Sequence, residues 1–218
     1  MDAFFRPRAA IFDMDGLMLE TERPMIPLWA EAGKLFNRNI TPELVIATIG
    51  LNSYDTKDLC MRELGPDFPY AEFRKELHRL FDAQFENGIT HKPGLLKLLD
   101  HIASLGLPMA VGTSSRRDAA VWKLEKAGIA GRFLHIVGGD DVKKGKPAPD
   151  IFLKAAEKLG ISPSLCVGFE DSPAGLQALR AAGIASVFIK DIIEPAPEIL
   201  STVWRRFDNL AKAVTLFN

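Results

Sequence analysis

Four short segments of this 218-residue chain gather the side chains best able to do chemistry. They read Asp13-Met14-Asp15-Gly16, Gly112-Thr113-Ser114-Ser115, Gly145-Lys146-Pro147 and Glu170-Asp171-Ser172. Each alone is ordinary. An aspartate after an apolar run commonly makes a turn or caps a helix, and acids before Ser-Pro suit a helix start. Together the segments supply four carboxylates, a lysine and a hydroxyl. Carboxylates that converge repel one another, and burial makes their charged forms costlier still. A cation among them relieves both, and a donor set made of oxygens suits a hard ion such as Mg²⁺. Lys146 adds a positive charge for an anionic substrate, and Thr113 a hydroxyl donor for a phosphate oxygen. The chemistry implied is phosphoryl transfer, in which positioning and charge neutralisation supply most of the catalysis.

Convergence requires a scaffold. Short apolar runs recur at 9–13, 107–112, 133–137, 165–169 and 185–189, each bounded by Gly, Pro, Ser or charge. They read as strands. Helical patterns lie between them at 94–105, 115–127, 150–159 and 172–182, the last with Ser172 as N-cap and Pro173 at the first helical position. Strands alternating with helices predict a parallel, Rossmann-like α/β core sheet with helices on both faces. Such sheets collect ligands at the carboxyl ends of their strands, where the four segments fall. Residues 22–88 break the rhythm and read as helices at 24–36, 42–48, 53–64 and 70–87. The expected organisation is a core of residues 1–20 and 90–218, an inserted all-helical domain at 21–89, and hinges near residues 20 and 90.

Composition excludes several functions. The formal net charge is −1, which gives no broad basic field for nucleic acid. Cys60 and Cys166 are too far apart for metal-ligand spacing. No run has the length of a membrane helix and the first residues lack a signal-peptide pattern, so a cytoplasmic location is expected with no membrane partner. Asp140 and Pro147 stand where a P-loop needs Gly and Ser or Thr, and no Gly-x-Gly-x-x-Gly is present. His78, His91, His101 and His135 make no ligand pair at helical spacing; of these, His91 is singled out by its place near the second hinge. Trp29, Trp122 and Trp204 read as packing residues. Oligomeric state is not readable.

Taken in order, DMDGLMLETE at 13–22, GTSS at 112–115, GKPAPDIF at 145–152 and GFEDSPAGLQA at 168–178 resemble the haloacid dehalogenase superfamily. They are most similar to its branch of sugar phosphatases and β-phosphoglucomutase-like enzymes. The resemblance extends over the whole chain and makes 21–89 that branch's cap domain. It implies that Asp13 is the nucleophile, forming an aspartyl-phosphate, and also a magnesium ligand. It makes Asp15 the general acid/base, ligating magnesium through its backbone carbonyl. Thr113 would bind the transferring phosphoryl group, Lys146 would neutralise charge on that group and on Asp13, and Glu170 and Asp171 would hold the magnesium. An acid at position 15 favours phosphate esters over carbon–halogen bonds, because an alkoxide leaving group needs a proton.

The expected activity is Mg²⁺-dependent hydrolysis of a small phosphorylated metabolite, a sugar phosphate foremost. Substrate choice is expected in the turn 47–54, with Gly50 and Asn52, and at Ser114 and Arg116. Leu17, Glu20 and Glu22 are further candidates. One alternative is a phosphomutase. Mutases of the branch carry a cap histidine and a cap arginine, and neither falls at the matching place in Arg23-Pro24-Met25 or Gly50-Leu51-Asn52-Ser53. The other alternative, a non-catalytic phosphate-binding module, would not require both Asp13 and Asp15.

Overall fold

The structure, a computed structural model, describes residues 5–217. Its centre is β1 (Ala9–Phe12), where four small or apolar residues are all buried. Side chains alternate across a strand. Ala10 and Phe12 accordingly join one apolar cluster and Ala9 and Ile11 another, on opposite faces of the sheet. Both faces being covered, the strands read as continuous apolar runs.

β2 (Met109–Gly112), β3 (His135–Val137), β4 (Cys166–Glu170), β5 (Ala185–Ile189) and β6 (Arg205–Phe207) complete a parallel sheet in the order β3-β2-β1-β4-β5-β6. The order reverses at β1, which pairs with β2 on one side and β4 on the other, so the crevice lies beyond Phe12 and Glu170. The expected strand at 107–112 begins at Met109, because Pro108 lacks the N–H a ladder needs. The sixth strand is an addition to the expected set. Arg205 and Arg206 are exposed on it, and an edge strand defended by charge carries no apolar run.

One face of the sheet is covered by α5 (Leu95–Ser104), α6 (Arg117–Lys126) and a 3-10 helix at Leu210–Phe217. The other is covered by α7 (Asp150–Leu159) and α8 (Pro173–Ala181). A single turn, α9 (Pro197–Leu200), lies before β6. Ser172 caps α8 by accepting from the Gly175 N–H at 3.1 Å, so the helix starts directly behind Glu170 and Asp171.

Four helices separate β1 from α5: α1 (Glu22–Leu35), α2 (Pro42–Ala47), α3 (Ser53–Leu64) and α4 (Tyr70–Gln84). They enclose an apolar cluster of their own, centred on Phe73 with Trp29 at 5.2 Å between ring centroids. α1 begins two residues before the expected 24, and α4 stops three before the expected 87. The two connections between this helical insert and the sheet run side by side. The Glu20 N–H donates to the Thr90 carbonyl at 2.9 Å and the Lys92 N–H to the Met18 carbonyl at 2.8 Å. His91 sits there with its ring Nε2 2.7 Å from the Ala127 carbonyl, a role in the connection rather than in the site.

Because the insert has its own core, Phe73→Ala should destabilise it selectively. The expected loss is about 3–5 kcal/mol, as for deleting a buried aromatic ring. Hydrogen exchange should show α1–α4 losing protection while β1, β2 and β4 keep theirs.

Candidate active site

A cleft of about 630 Å³ opens between the carboxyl edge of the sheet and the insert. Asp13, Asp15, Thr113, Ser114, Arg116 and Asp171 line it from the sheet side, and Gly50 from the insert. Lys146 and Glu170 lie beneath this floor, 2% and 0% exposed. The four segments widely separated in sequence therefore meet, as their strand-end positions require.

Lys146 is the centre of the floor. Its Nζ donates to Asp13 Oδ1 and Glu170 Oε1, both at 2.5 Å. Burial opposes the ammonium charge, but Asp13 and Glu170 outweigh it and raise its pKa. Asp13 is pushed up to about 7, first by burial, against the pull of Lys146 and with the charge of Glu170 adding to the rise. Glu170 also accepts from the Ser172 N–H at 2.7 Å, so each of its oxygens takes one donor. Its charge steadies Lys146 from below. A Cβ at position 175 would overlap the Glu170 carboxylate, which gives Gly175 a steric reason to lack one.

Asp15 is held differently. Its Oδ1 accepts from Lys123 Nζ and from Thr21 Oγ1, each at 2.7 Å, and its Oδ2 from Ser115 Oγ at 2.8 Å. Burial pushes this carboxyl up, but Lys123 and the two hydroxyls outweigh it and hold it below the ordinary aspartate value. These three partners did not emerge from the sequence. Lys123 stands on α6 among other charges, and a lysine in such a helix reads as a solvated face.

Asp171 has no such partner. It is 3% exposed and its Oδ1 meets no donor among the described residues. Burial, then Glu22 and Glu170, hold its pKa well above the ordinary value. Glu22 is raised likewise, by burial and then by Asp15, Asp13 and Asp191. Buried carboxylate oxygens without donors, in a set made of oxygens, fit a hard divalent cation.

The remaining expected residues divide. Ser114 donates from Oγ to the Gly50 carbonyl at 3.2 Å, joining the sheet edge to the 47–54 turn. Arg116 is exposed and paired with Asp118 at 3.3 Å. Asn52 is not on the cleft wall: its side chain accepts from the Tyr54 and Asp55 N–H groups and caps α3. Leu17 is fully buried in the core, and Glu20 takes a bond from Lys92 at 2.9 Å away from the cleft. His78, which the sequence did not single out, lines the cleft from α4, beside Tyr70, Arg74 and Asp82.

The family model described as haloacid dehalogenase-like hydrolase matches residues 7–183, most of the chain. The chain belongs to the haloacid dehalogenase-like hydrolases. Among members of that family it is 29% identical over 180 residues to a phosphorylated carbohydrates phosphatase of Thermotoga maritima, covering 83% of each chain. It is 32% identical to the fructose-1-phosphate phosphatase YqaB of Escherichia coli, covering 83% of this chain and 95% of that one. The crystal structure of β-phosphoglucomutase from Clostridium difficile shares the fold, with a TM-score of 0.80 at 23% identity over 94% of this chain and 92% of that one. No helix among the described residues of this hydrolase is long and apolar enough to cross a membrane.

The raised carboxyls make a pH prediction. A carboxyl with a folded pKa above its unfolded one favours folding below the unfolded value and loses that advantage as pH rises through the folded value. For Asp13 the window runs from 3.8 to about 7, and Glu22 and Asp171 act with the same sign. Asp15 and Glu20, held low, act with the opposite sign, but their contribution is complete above ordinary values of 3.8 and 4.5. In excess chelator the melting temperature should therefore fall between about pH 5 and about pH 7, and Mg²⁺ should remove the decline. Calorimetric melts with and without Mg²⁺ check this.

Proposed function

We propose that this protein is a Mg²⁺-dependent phosphatase acting on a phosphorylated carbohydrate through an aspartyl-phosphate on Asp13. The observation that carries the reading is the pair of unlike aspartates at one cleft. Asp13 is bound to a buried lysine at the floor, and Asp15 stands two residues on, among hydroxyl and ammonium donors. One carboxylate would attack and the other would handle protons, a division of labour between two acids that share a site.

Asp171 and Glu170 would hold the cation, with Asp13 and the Asp15 backbone carbonyl as the resemblance implies. A divalent ion there supplies the charge neutralisation that lets a carboxylate approach a phosphate dianion. Lys146, tied to Asp13, keeps the nucleophile oriented and offsets charge as the phosphoryl group arrives. The Thr113 side chain, which lines the cleft, would donate to a phosphoryl oxygen. Asp15 gives a proton to the departing sugar oxygen and takes one back from the attacking water. Its donors favour the ionised form in this state, so donation requires that Lys123, Thr21 and Ser115 be exchanged for contacts with substrate.

The helical insert would serve as a cap, placing Tyr70, Arg74, His78 and Asp82 toward the hydroxyls of the leaving group. The name of the Thermotoga relative supports a phosphorylated carbohydrate, and the polar patch on α4 suits one. Hydrolysis is favoured over transfer to a second hydroxyl because Met25 and Ser53 line the cleft where the resemblance would put a mutase's histidine and arginine.

Phosphate release from sugar and polyol phosphates, with Mg²⁺ and with chelator, tests the reading. Turnover should require the metal. Asp13→Asn should be inactive, and Asp15→Asn should lose about 10²–10⁴-fold. Phosphoenzyme should accumulate in the Asp15 variant, since nothing then activates water. Full turnover in chelator, or phosphate trapped on another residue, overturns the mechanism. Glucose 6-phosphate forming from β-glucose 1-phosphate faster than free phosphate would establish the mutase instead.

A further inference from the structure

Glu22, Asp171 and Asp191 each offer an oxygen within 4.8 Å of the others'. They come from three places: Glu22 opens α1, the first helix of the insert, Asp171 follows β4, and Asp191 follows β5. Their proximity is not explained by pairing. Glu22 Oε2, Asp171 Oδ1 and Asp191 Oδ2 are all buried and meet no donor among the described residues. The side chain of Asp191 is 5% exposed, and its other oxygen, Oδ1, is already taken by Lys92 at 2.8 Å and by Arg23. The backbone makes room for the approach at Gly16. A Cβ there would stand 2.5 Å from Asp171 Oδ2 and 2.6 Å from Glu22 Oε2, and its φ of +79° suits glycine.

Three carboxylates that bring oxygens this close, each also holding a buried oxygen without a donor, are arranged as ligands facing one ion. Oxygens about 2.1–2.5 Å from a common divalent cation stand up to about 4–5 Å apart. We propose that Glu22 and Asp191 join Asp171 in holding the divalent cation, directly or through its bound water, so that the ion clasps the first turn of the insert to the sheet. This rests on the reading that the site takes a divalent cation, and extends it. The inner ligands of that reading all belong to the sheet side, whereas Glu22 belongs to the insert. Cation binding and the position of the insert are then linked: the ion binds best with α1 seated, and α1 is held best with the ion bound.

Isothermal titration of Mg²⁺ into the intact protein tests this without reference to turnover. Glu22→Gln keeps the shape and removes the charge, and should weaken Mg²⁺ binding by about 10–100-fold, the usual effect of losing a supporting carboxylate. In chelator the same variant should melt no lower than wild type, since Glu22 Oε2 has no donor to lose, while its gain in melting temperature on adding Mg²⁺ should shrink. A general loss of structure would instead lower both melts. Hydrogen exchange should show Mg²⁺ protecting the start of α1 in wild type and not in Glu22→Gln. Asp191→Asn, a second variant, should weaken Mg²⁺ binding in the same direction even where its lost pairing with Lys92 lowers the melt. Mg²⁺ affinity within about twofold of wild type in both variants overturns the clasp and leaves the phosphatase reading standing. Failure of wild type to bind Mg²⁺ at all overturns both.

Discussion

Negative charge collected where it is least tolerated is the constraint on which the rest of this structure depends. Asp13, Glu170 and Asp171 are each under a tenth exposed, Asp15 and Glu22 face the same space, and Lys146 is the cation buried among them. A cluster of this kind is unfavourable both by desolvation and by mutual repulsion. Its persistence has to be supplied by the surrounding fold, and the sheet supplies it. The reversal of strand order at β1 places the ends of β1 and β4 side by side, and the start of α8 fixes Glu170 through the Ser172 N–H. The main chain on both sides is committed to a parallel ladder, so the carboxylates have no cheap route of escape. The site is tense because the scaffold is rigid.

That tension is resolved differently for the two aspartates of the first segment. Asp13 is directed down to Lys146, in the layer below the cleft. Asp15 turns aside to Lys123, Ser115 and Thr21. Gly16 permits the sharp turn that separates them. Two identical side chains two residues apart thus acquire opposite tendencies, one raised toward neutrality by burial and the other kept ionised by donors. The distinction belongs to the environment rather than the residue, and without a cation it runs opposite to a nucleophile's need for charge at Asp13 and an acid's need for a proton at Asp15, so a cation and a substrate would have to reverse it.

The legible parts of this molecule were those with a local physical cause. Apolar runs such as Ala9–Phe12 announce buried strands, and Ser172-Pro173 announces a helix start, because both follow from neighbours in sequence. The floor of the site was legible for a related reason: a strand end is a defined place, so residues such as Asp13, Thr113 and Glu170 could be placed without knowing the whole fold. What escaped depends on encounters at long range. Lys123 is 108 residues from Asp15, and nothing in α6 marks one lysine as turned inward. Arg205–Phe207 carries no apolar signal because an edge strand needs charge more than burial. Asn52 illustrates the converse. Its place in a polar turn suggested substrate contact, but an asparagine before a helix is also a cap, and here the local role is the one its side chain fills. Glu170 illustrates a finer limit: sequence places its carboxylate at the centre, but only geometry shows that it is shared between Lys146 and the Ser172 N–H.

The connection between insert and sheet joins these threads. Residues 18–21 and 89–92 run as a bonded pair, and the same short stretch carries Glu20, Thr21 and Glu22, whose side chains diverge to three partners. Glu20 reaches Lys92, Thr21 reaches Asp15, and Glu22 faces Asp171. Successive side chains on one connection therefore touch the opposite connection, the Asp15 carboxylate and the acidic cluster. Any rotation of the insert about this pair must alter all three contacts, since the backbone that carries them is continuous. The position of the helical insert, the environment of Asp15 and the charge around Asp171 are thus functions of the same few torsion angles, without a longer chain of contacts.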